Sequence, residues 1–175
     1  MPRAACPQCG AIGRIVSSVT LEAMLKPEAK ARRGGGPYHF CKTPECPVVY
    51  YPEDGTAPFD TGDVRVTVFQ KSTDPERLVC YCFEHRVSEI EAEVARTGTS
   101  KVPDEIAEKC RLGLEHCEDA NPQGSCCLGN VRQVVRAAQA RRAGGEAPAP
   151  AAPAEVEPES CCCGPAHCEL PAPAE

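Results

Sequence analysis

The chain is 175 residues long, room for one ordinary domain or two small ones. Its formal net charge of −6 resides in residues 144–175, which hold six glutamates and no Lys or Arg, while the other 143 residues balance 19 basic against 19 acidic side chains. With no basic stripe, four Tyr, four Phe and no Trp, the composition argues against nucleic acid as a partner, and no run is long enough for a membrane span. Fourteen cysteines are far above ordinary usage. Met1-Pro2-Arg3-Ala4-Ala5 has no apolar stretch of the signal-peptide kind. The expected setting is therefore the reducing cytoplasm, where cysteines point to metal rather than to disulfides.

Residues 1–78 read as a small α+β unit. Cys6-Pro7-Gln8-Cys9-Gly10 has the form of a metal knuckle, in which Gly10 lets the backbone fold toward the ion. Arg14–Ser17 predicts a short strand. Thr20 is placed to cap a helical stretch, Leu21–Leu25, which Pro27 interrupts or ends. Gly34-Gly35-Gly36-Pro37 is a loop with no partner motif for phosphate. Tyr38–Cys41 predicts a strand running into a second knuckle, Cys41-Lys42-Thr43-Pro44-Glu45-Cys46. Val48–Tyr51 leaves it as another strand, stopped by Pro52. Val64–Phe69 alternates apolar and polar residues, the pattern of a half-buried strand. Strand, helix and further strands around one ion predict a zinc-ribbon or treble-clef arrangement.

Residues 79–143 read as helical. Ser88 and Glu91 have capping-box spacing for a helix over Glu89–Arg96, with Ile90 and Val94 inward and Gly98 ending it. Ser100, with Pro103 in the first turn, starts a second helix through Ile106, Cys110 and Leu114. Asn121-Pro122-Gln123-Gly124 is a turn. Ser125 is placed to cap a third helix carrying Leu128, Val131, Val134 and Val135 on its apolar face. Residues 144–175 form a Pro/Ala/Glu tail expected to be disordered, with Cys161, Cys162, Cys163, His167 and Cys168 as its one chemical feature. Both body units are too small to bury a large core, and metal binding would supply stability to each.

Two groups of cysteines carry the chemistry. Cys6, Cys9, Cys41 and Cys46 have the spacing of a closed four-thiolate site, for structural zinc or for a rubredoxin-like iron. Cys80 and Cys82 on one tight loop, with Cys117 and one of Cys126 and Cys127, suit a [2Fe–2S] cluster: the Cys-x-Cys pair reaches one iron, the later cysteines the other. If Ser125 is the cap, Cys126 and Cys127 fall in the first helical turn, whose free N–H groups favour thiolate. His85 and His116 read as supporting or solvated residues rather than ligands. Cys110 reads as a core residue of its helix. No catalytic constellation is visible, so the expected protein is not an enzyme.

The motifs then resemble a known family. Cys-Pro-x-Cys-Gly at 6–10, Leu-Lys-Pro-Glu-Ala at 25–29, Phe-Cys-x-x-x-x-Cys at 40–46 and Val-Val-Tyr-Tyr at 48–51 are similar to the N-terminal zinc-plus-[2Fe–2S] region of the iron–sulfur copper chaperones called CopZ. So are Cys-Tyr-Cys-Phe at 80–83 and Asn-Pro-Gln-Gly-Ser-Cys-Cys-Leu-Gly-Asn at 121–130. The likeness spans about residues 5–136, and the helical half also resembles bacterioferritin-associated ferredoxin. It implies Cys80, Cys82, Cys117 and Cys127 as cluster ligands, with Cys126 spare. The best-known member carries a further copper-binding domain with Met-x-Cys-x-x-Cys. This sequence has Met1 and Met24 and no such motif, so delivery by that domain is not carried over. The implied function is copper handling with one-electron reduction of Cu(II) to Cu(I). Zn2+, a [2Fe–2S] cluster and Cu+ are the expected metals, and a copper-transporting ATPase or a redox protein the expected partner. The other reading is a ferredoxin-like electron carrier with no copper role. The tail thiols would either wrap Cu(I) or stay inert.

Overall fold

The computed structural model describes residues 4–144. The expectations for the tail, including Cys161, Cys162, Cys163, His167 and Cys168, lie outside the described residues.

A four-stranded antiparallel sheet, ordered β1-β2-β3-β4, is built from β1 (Arg14–Val16), β2 (Tyr38–Phe40), β3 (Val48–Pro52) and β4 (Phe59–Asp60). Side chains alternate between its faces. Tyr38, Phe40, Tyr50 and Phe59 pack on one face against Leu21, Met24, Leu25 and Ala29. These come from α1 (Ser18–Met24), α2 (Pro27–Ala31) and the two-residue link between them, which supplies Leu25. On the other face Tyr51 packs with Cys6, Cys41 and Cys46 and stacks on His39, its cross-strand partner, with ring centroids 5.4 Å apart. Every residue of β3 is therefore buried, which is why Val48-Val49-Tyr50-Tyr51 shows no alternation of polarity.

After a 3₁₀ turn at Phe69–Lys71 the chain forms a hairpin, β5 (Leu78–Cys80) and β6 (His85–Arg86). Four helices follow: α3 (Val87–Thr97), α4 (Val102–Arg111), the short α5 (Cys117–Ala120) and α6 (Leu128–Arg142). Ile90 and Val94 of α3, Ile106 of α4 and Val131 of α6 are the fully buried centre of this second core. Each such aliphatic side chain contributes roughly 1.5–3 kcal/mol by leaving water.

Several local expectations are corrected. The α1 cap is Ser17, whose Oγ accepts the Thr20 N–H at 3.2 Å. Thr20 lies inside the helix, and its hydroxyl donates to the Glu118 carbonyl of α5 at 2.6 Å. Val64–Phe69 is not a strand beyond one bridge, Val64 to Leu25. Its backbone is satisfied elsewhere: Arg65 N–H donates to Met24 O, and the Tyr81 hydroxyl donates to Thr67 O and accepts from Phe69 N–H. The sheet edge is instead β4, too short to read from the sequence. Helix α3 starts two residues earlier than Ser88 and Glu91 implied, because the Glu89 carboxylate accepts the Arg86 N–H. Ser88 N–H is bonded to Pro75 O, and Glu91 pairs with Arg141 of α6 at 2.6 Å. Gly98 does end α3. Helix α4 ends at Arg111, leaving Leu114 outside it and 56% exposed. Ser125 is not a cap: α6 begins at Leu128 with Cys127 in the cap position. Cys126 and Cys127 thus precede the first turn.

Hydrogen bonds join the two halves. The Tyr50 hydroxyl, fully buried, donates to Pro122 O at 2.6 Å. Gly124, at φ +64°, passes so close to Thr20 that a Cβ would lie 2.7 Å from its hydroxyl. Tyr50→Phe should destabilise the fold by about 1–3 kcal/mol, because it leaves a buried carbonyl without a donor. Denaturant titration monitored by circular dichroism measures this, and an unchanged midpoint would contradict it.

Candidate metal centres

Four sulfurs meet where the two knuckles face each other. Cys6, Cys9, Cys41 and Cys46 offer Sγ atoms that all lie within 4.8 Å of one another. Cys6 to Cys46 is 3.8 Å and Cys9 to Cys41 is 3.6 Å. Sulfurs around a tetrahedral ion with bonds of about 2.3 Å stand about 3.8 Å apart, so the group fits such an ion without rearrangement. Three of the cysteines are buried and Cys9 is exposed.

The backbone is folded to serve these sulfurs. Gly10 N–H donates to Cys6 O, and Cys6 N–H to Ala11 O, closing the first knuckle. Burial raises the Cys6 thiol, against N–H groups of Cys9 and Gln8 that favour its thiolate. Burial pushes Cys46 up to about 12, opposed by the Val48 N–H. Cys9 is held down at about 6: partial desolvation raises it, but the Thr43 hydroxyl, the Ala11 N–H and the neighbouring thiols together outweigh that. Lys71 donates from Nζ to Thr43 O at 2.6 Å and lies 3.6 Å from Cys41 Sγ, a positive charge beside the group. Tyr51 pins the first knuckle from below, donating toward Ala4 O and Ala11 O and accepting from Gly13 N–H at 2.7 Å. Nothing larger than glycine fits at 13, where a Cβ would stand 2.4 Å from Phe40 O.

The second group lies at the ends of β5, α5 and α6. Cys82 and Cys117 have sulfurs 3.4 Å apart. Cys80 lies beside Cys127, and Cys126 beside Cys117 and Cys110, close enough to shift the acidity of each thiol. Cys82 thus stands beside Cys117, and Cys80 beside Cys127. Cys127 is pushed up by its bond to Cys80, and Cys80 is lowered by the same bond. Cys117 is pushed up by its bonds to Cys126 and Cys82, while Cys82 falls to about 7 and Cys126 to about 6, each chiefly through Cys117. Backbone N–H groups of Phe83 and Cys82 face Cys80, that of His116 faces Cys82 and that of Leu128 faces Cys126. The start of α6 therefore does favour thiolate at Cys126, although not through the cap expected at Ser125.

His116 is exposed and acts on Cys82 through its backbone N–H and through the charge of its ring. His85 is buried, with Nδ1 3.3 Å from both carboxylate oxygens of Glu89. Cys110 is buried in α4, within the second core.

Several residues that order these loops carry no signal in the sequence. The Gln123 side chain donates to Cys126 O at 2.8 Å and Ser125 O at 3.2 Å, and accepts from Gln70 and Asn130. Asn121 donates to Ser125 O and accepts from Gln123 N–H. These two amides hold the turn before Cys126 without any regular element. The turn's composition signalled a bend, but not the side-chain network inside it.

Comparison with known proteins bears on the first of these groups. Residues 3–65 match the CopZ-type zinc-finger family model, described as a zinc binding domain, and contain Cys6, Cys9, Cys41 and Cys46. The copper chaperone CopZ of Archaeoglobus fulgidus is 30% identical over 133 residues, 74% of this chain and 60% of that protein. The chain thus spans about three-fifths of that relative's length. The X-ray structure of the N-terminal domain of Archaeoglobus fulgidus CopZ is similar with a TM-score of 0.64 at 25% identity, covering 74% of this chain and 96% of that one. The fold described above is therefore shared with that domain, and the four-cysteine group lies in a segment similar to a zinc-binding domain.

Gly13→Ala should weaken metal retention at the four-cysteine group, because the added Cβ drives Tyr51 and Phe40 away from the first knuckle. Overpacking of this kind costs about 1–3 kcal/mol, up to roughly a hundredfold in affinity. Competition of the zinc-loaded variant against a chromogenic chelator reads this directly. Wild-type affinity would show that the contact does not set the site.

Proposed function

We propose that this chain is a cytoplasmic metallochaperone of copper handling that holds one zinc ion and one [2Fe–2S] cluster. Cys6, Cys9, Cys41 and Cys46 would hold Zn2+, and four thiolates leave no open position, so that site is structural. Cys80, Cys82, Cys117 and Cys127 would hold the cluster, with Cys126 beside it. The observation that carries this reading is the gathering of five thiols on neighbouring loops, with the Cys82 and Cys117 sulfurs 3.4 Å apart and Cys80 beside Cys127. A soft, cationic metal group replaces thiol protons, and thiolates gathered this way suit the two irons of a small cluster. A cluster there supplies one electron, the number that takes Cu(II) to Cu(I).

The chain's own residues prepare that chemistry. N–H groups of Phe83, His116 and Leu128 face the sulfurs and favour their ionised form. Such bonds also set reduction potential. Copper is the substrate here, and the similarity to a copper chaperone supports it as cargo. No helix among the described residues is long and apolar enough to cross a membrane. The similarity to a copper chaperone supports a copper-transporting ATPase as its partner.

Anaerobically purified protein should contain two iron, two acid-labile sulfide and one zinc per chain. After reduction and removal of excess reductant, it should convert about one added Cu(II) per chain to Cu(I), read with a Cu(I)-selective chelator. Cys82→Ala should lose the iron, the sulfide and the copper reduction while keeping zinc. Cys126→Ser should keep all three. Full iron in Cys82→Ala would remove this ligand set. An intact cluster that leaves Cu(II) unreduced would favour the ferredoxin-like carrier instead.

A further inference from the structure

Three consecutive residues reach three separate cysteine-bearing loops. They form the 3₁₀ turn Phe69–Lys71, closed by the Lys71 N–H on Val68 O at 2.9 Å. Phe69 N–H donates at 2.9 Å to the Tyr81 hydroxyl, and Tyr81 stands between Cys80 and Cys82. The same hydroxyl returns to Thr67 O at 2.7 Å, so this loop is held at two points of one segment. Gln70 Nε2 donates to Gln123 Oε1 at 2.8 Å, and Gln123 in turn holds the carbonyls of Ser125 and Cys126. Lys71 Nζ donates to Thr43 O and lies 3.6 Å from Cys41 Sγ, inside the second knuckle. Cys46 N–H donates to the same Thr43 carbonyl at 3.2 Å, so Lys71 grips the point on which that knuckle turns.

We propose that Phe69–Lys71 is a positioning strut through which the four-cysteine site sets the placement of the loops carrying Cys80–Cys82 and Cys126–Cys127. The assignment of those loops to a cluster rests on the function proposed above; the mechanical link does not. Four thiolates around a divalent ion sum to a charge of −2. An ammonium 3.6 Å from one of those sulfurs is drawn to the filled site. Lys71 thereby fixes the C-terminal end of a three-residue turn. A 3₁₀ turn this short has little freedom once one end is held, so the Phe69 N–H and the Gln70 amide are presented in place to Tyr81 and Gln123. Positioning runs in series: Lys71 first, then Gln70 and Phe69, then the two loops. Independent surface hydrogen bonds would give no such order.

The test uses the full chain loaded with zinc and free of iron. Amide hydrogen exchange is followed by mass spectrometry over residues 41–46, 80–83 and 121–127. Gln70→Ala should speed exchange in 121–127 by roughly tenfold, the factor given by loss of one hydrogen bond, and leave 41–46 unchanged. Lys71→Met should speed exchange severalfold in 41–46 and also in 80–83 and 121–127, whereas Lys71→Arg, which keeps a charged donor, should restore most of the protection. In the double variant, Lys71→Met should add nothing in 121–127 beyond Gln70→Ala. An effect of Lys71→Met confined to 41–46, or one that adds fully to Gln70→Ala in 121–127, would overturn the strut. If the exchange pattern holds but the wild-type chain takes up no iron and sulfide, the cluster reading fails and the strut stands. If the cluster assembles and the exchange pattern is absent, the strut alone fails.

Discussion

Thiols packed within hydrogen-bonding distance cannot all ionise unless a cation stands among them, and this constraint organises the molecule. It operates on all four thiols at Cys6, Cys9, Cys41 and Cys46 and pair by pair in the second group, where Cys82 and Cys117 are 3.4 Å apart. In both places some thiols are driven toward thiolate and their neighbours away from it. A structural zinc site of four thiolates is worth about 10–16 kcal/mol, set against a net stability of about 5–15 kcal/mol for an ordinary domain. A unit of this size that gathers such a group has its folding tied to what fills it.

The adjacent tyrosines of β3 carry that dependence outward. They point to opposite faces of one strand. Tyr51 closes under the first knuckle and stacks on His39, while Tyr50 crosses the aromatic core to the Pro122 carbonyl. One strand thus touches the four-cysteine site on one side and the turn before Cys126 on the other. Both hydroxyls are donors at full burial, and burial pushes the pKa of each further up, so they stay protonated over the physiological range. A phenylalanine at either position would keep the packing and lose the connection.

Much of this was legible in the residues. The knuckle spacing located four sulfurs that do meet, and the 3.6-residue rhythm identified Ile90, Val94, Ile106 and Val131 as core. Strands β1, β2 and β3 and the end of α3 at Gly98 were also readable. What failed was any feature decided by a distant partner. Val64–Phe69 has the alternation of a strand, yet its backbone is claimed by Met24 and by the Tyr81 hydroxyl, and neither is visible from within the segment. Thr20 looks like a cap because threonine usually is one, but Ser17 fills that role and frees Thr20 to reach Glu118. Gln70, Lys71 and Gln123 have ordinary exposed-residue chemistry; only the fold brings them to the cysteine loops.

The start of α6 shows the same competition at its sharpest. Ser125 followed by an apolar rhythm is a strong local signal for a helix beginning at Cys126. A helix started there would put both cysteines on the first turn, roughly 100° apart and facing outward from one cylinder. The amides of Asn121 and Gln123 instead capture the Ser125 and Cys126 carbonyls, holding two more residues in the loop. On that loop Cys127 lies beside Cys80, while Cys126 lies beside Cys117 and Cys110. The vicinal pair thereby spans both close thiol pairs from a single turn of backbone. Local helix propensity is worth a few tenths of a kcal/mol per residue, and three side-chain hydrogen bonds at about 1 kcal/mol each exceed it. The loop wins on energy, and its prize is the geometry of the thiol group.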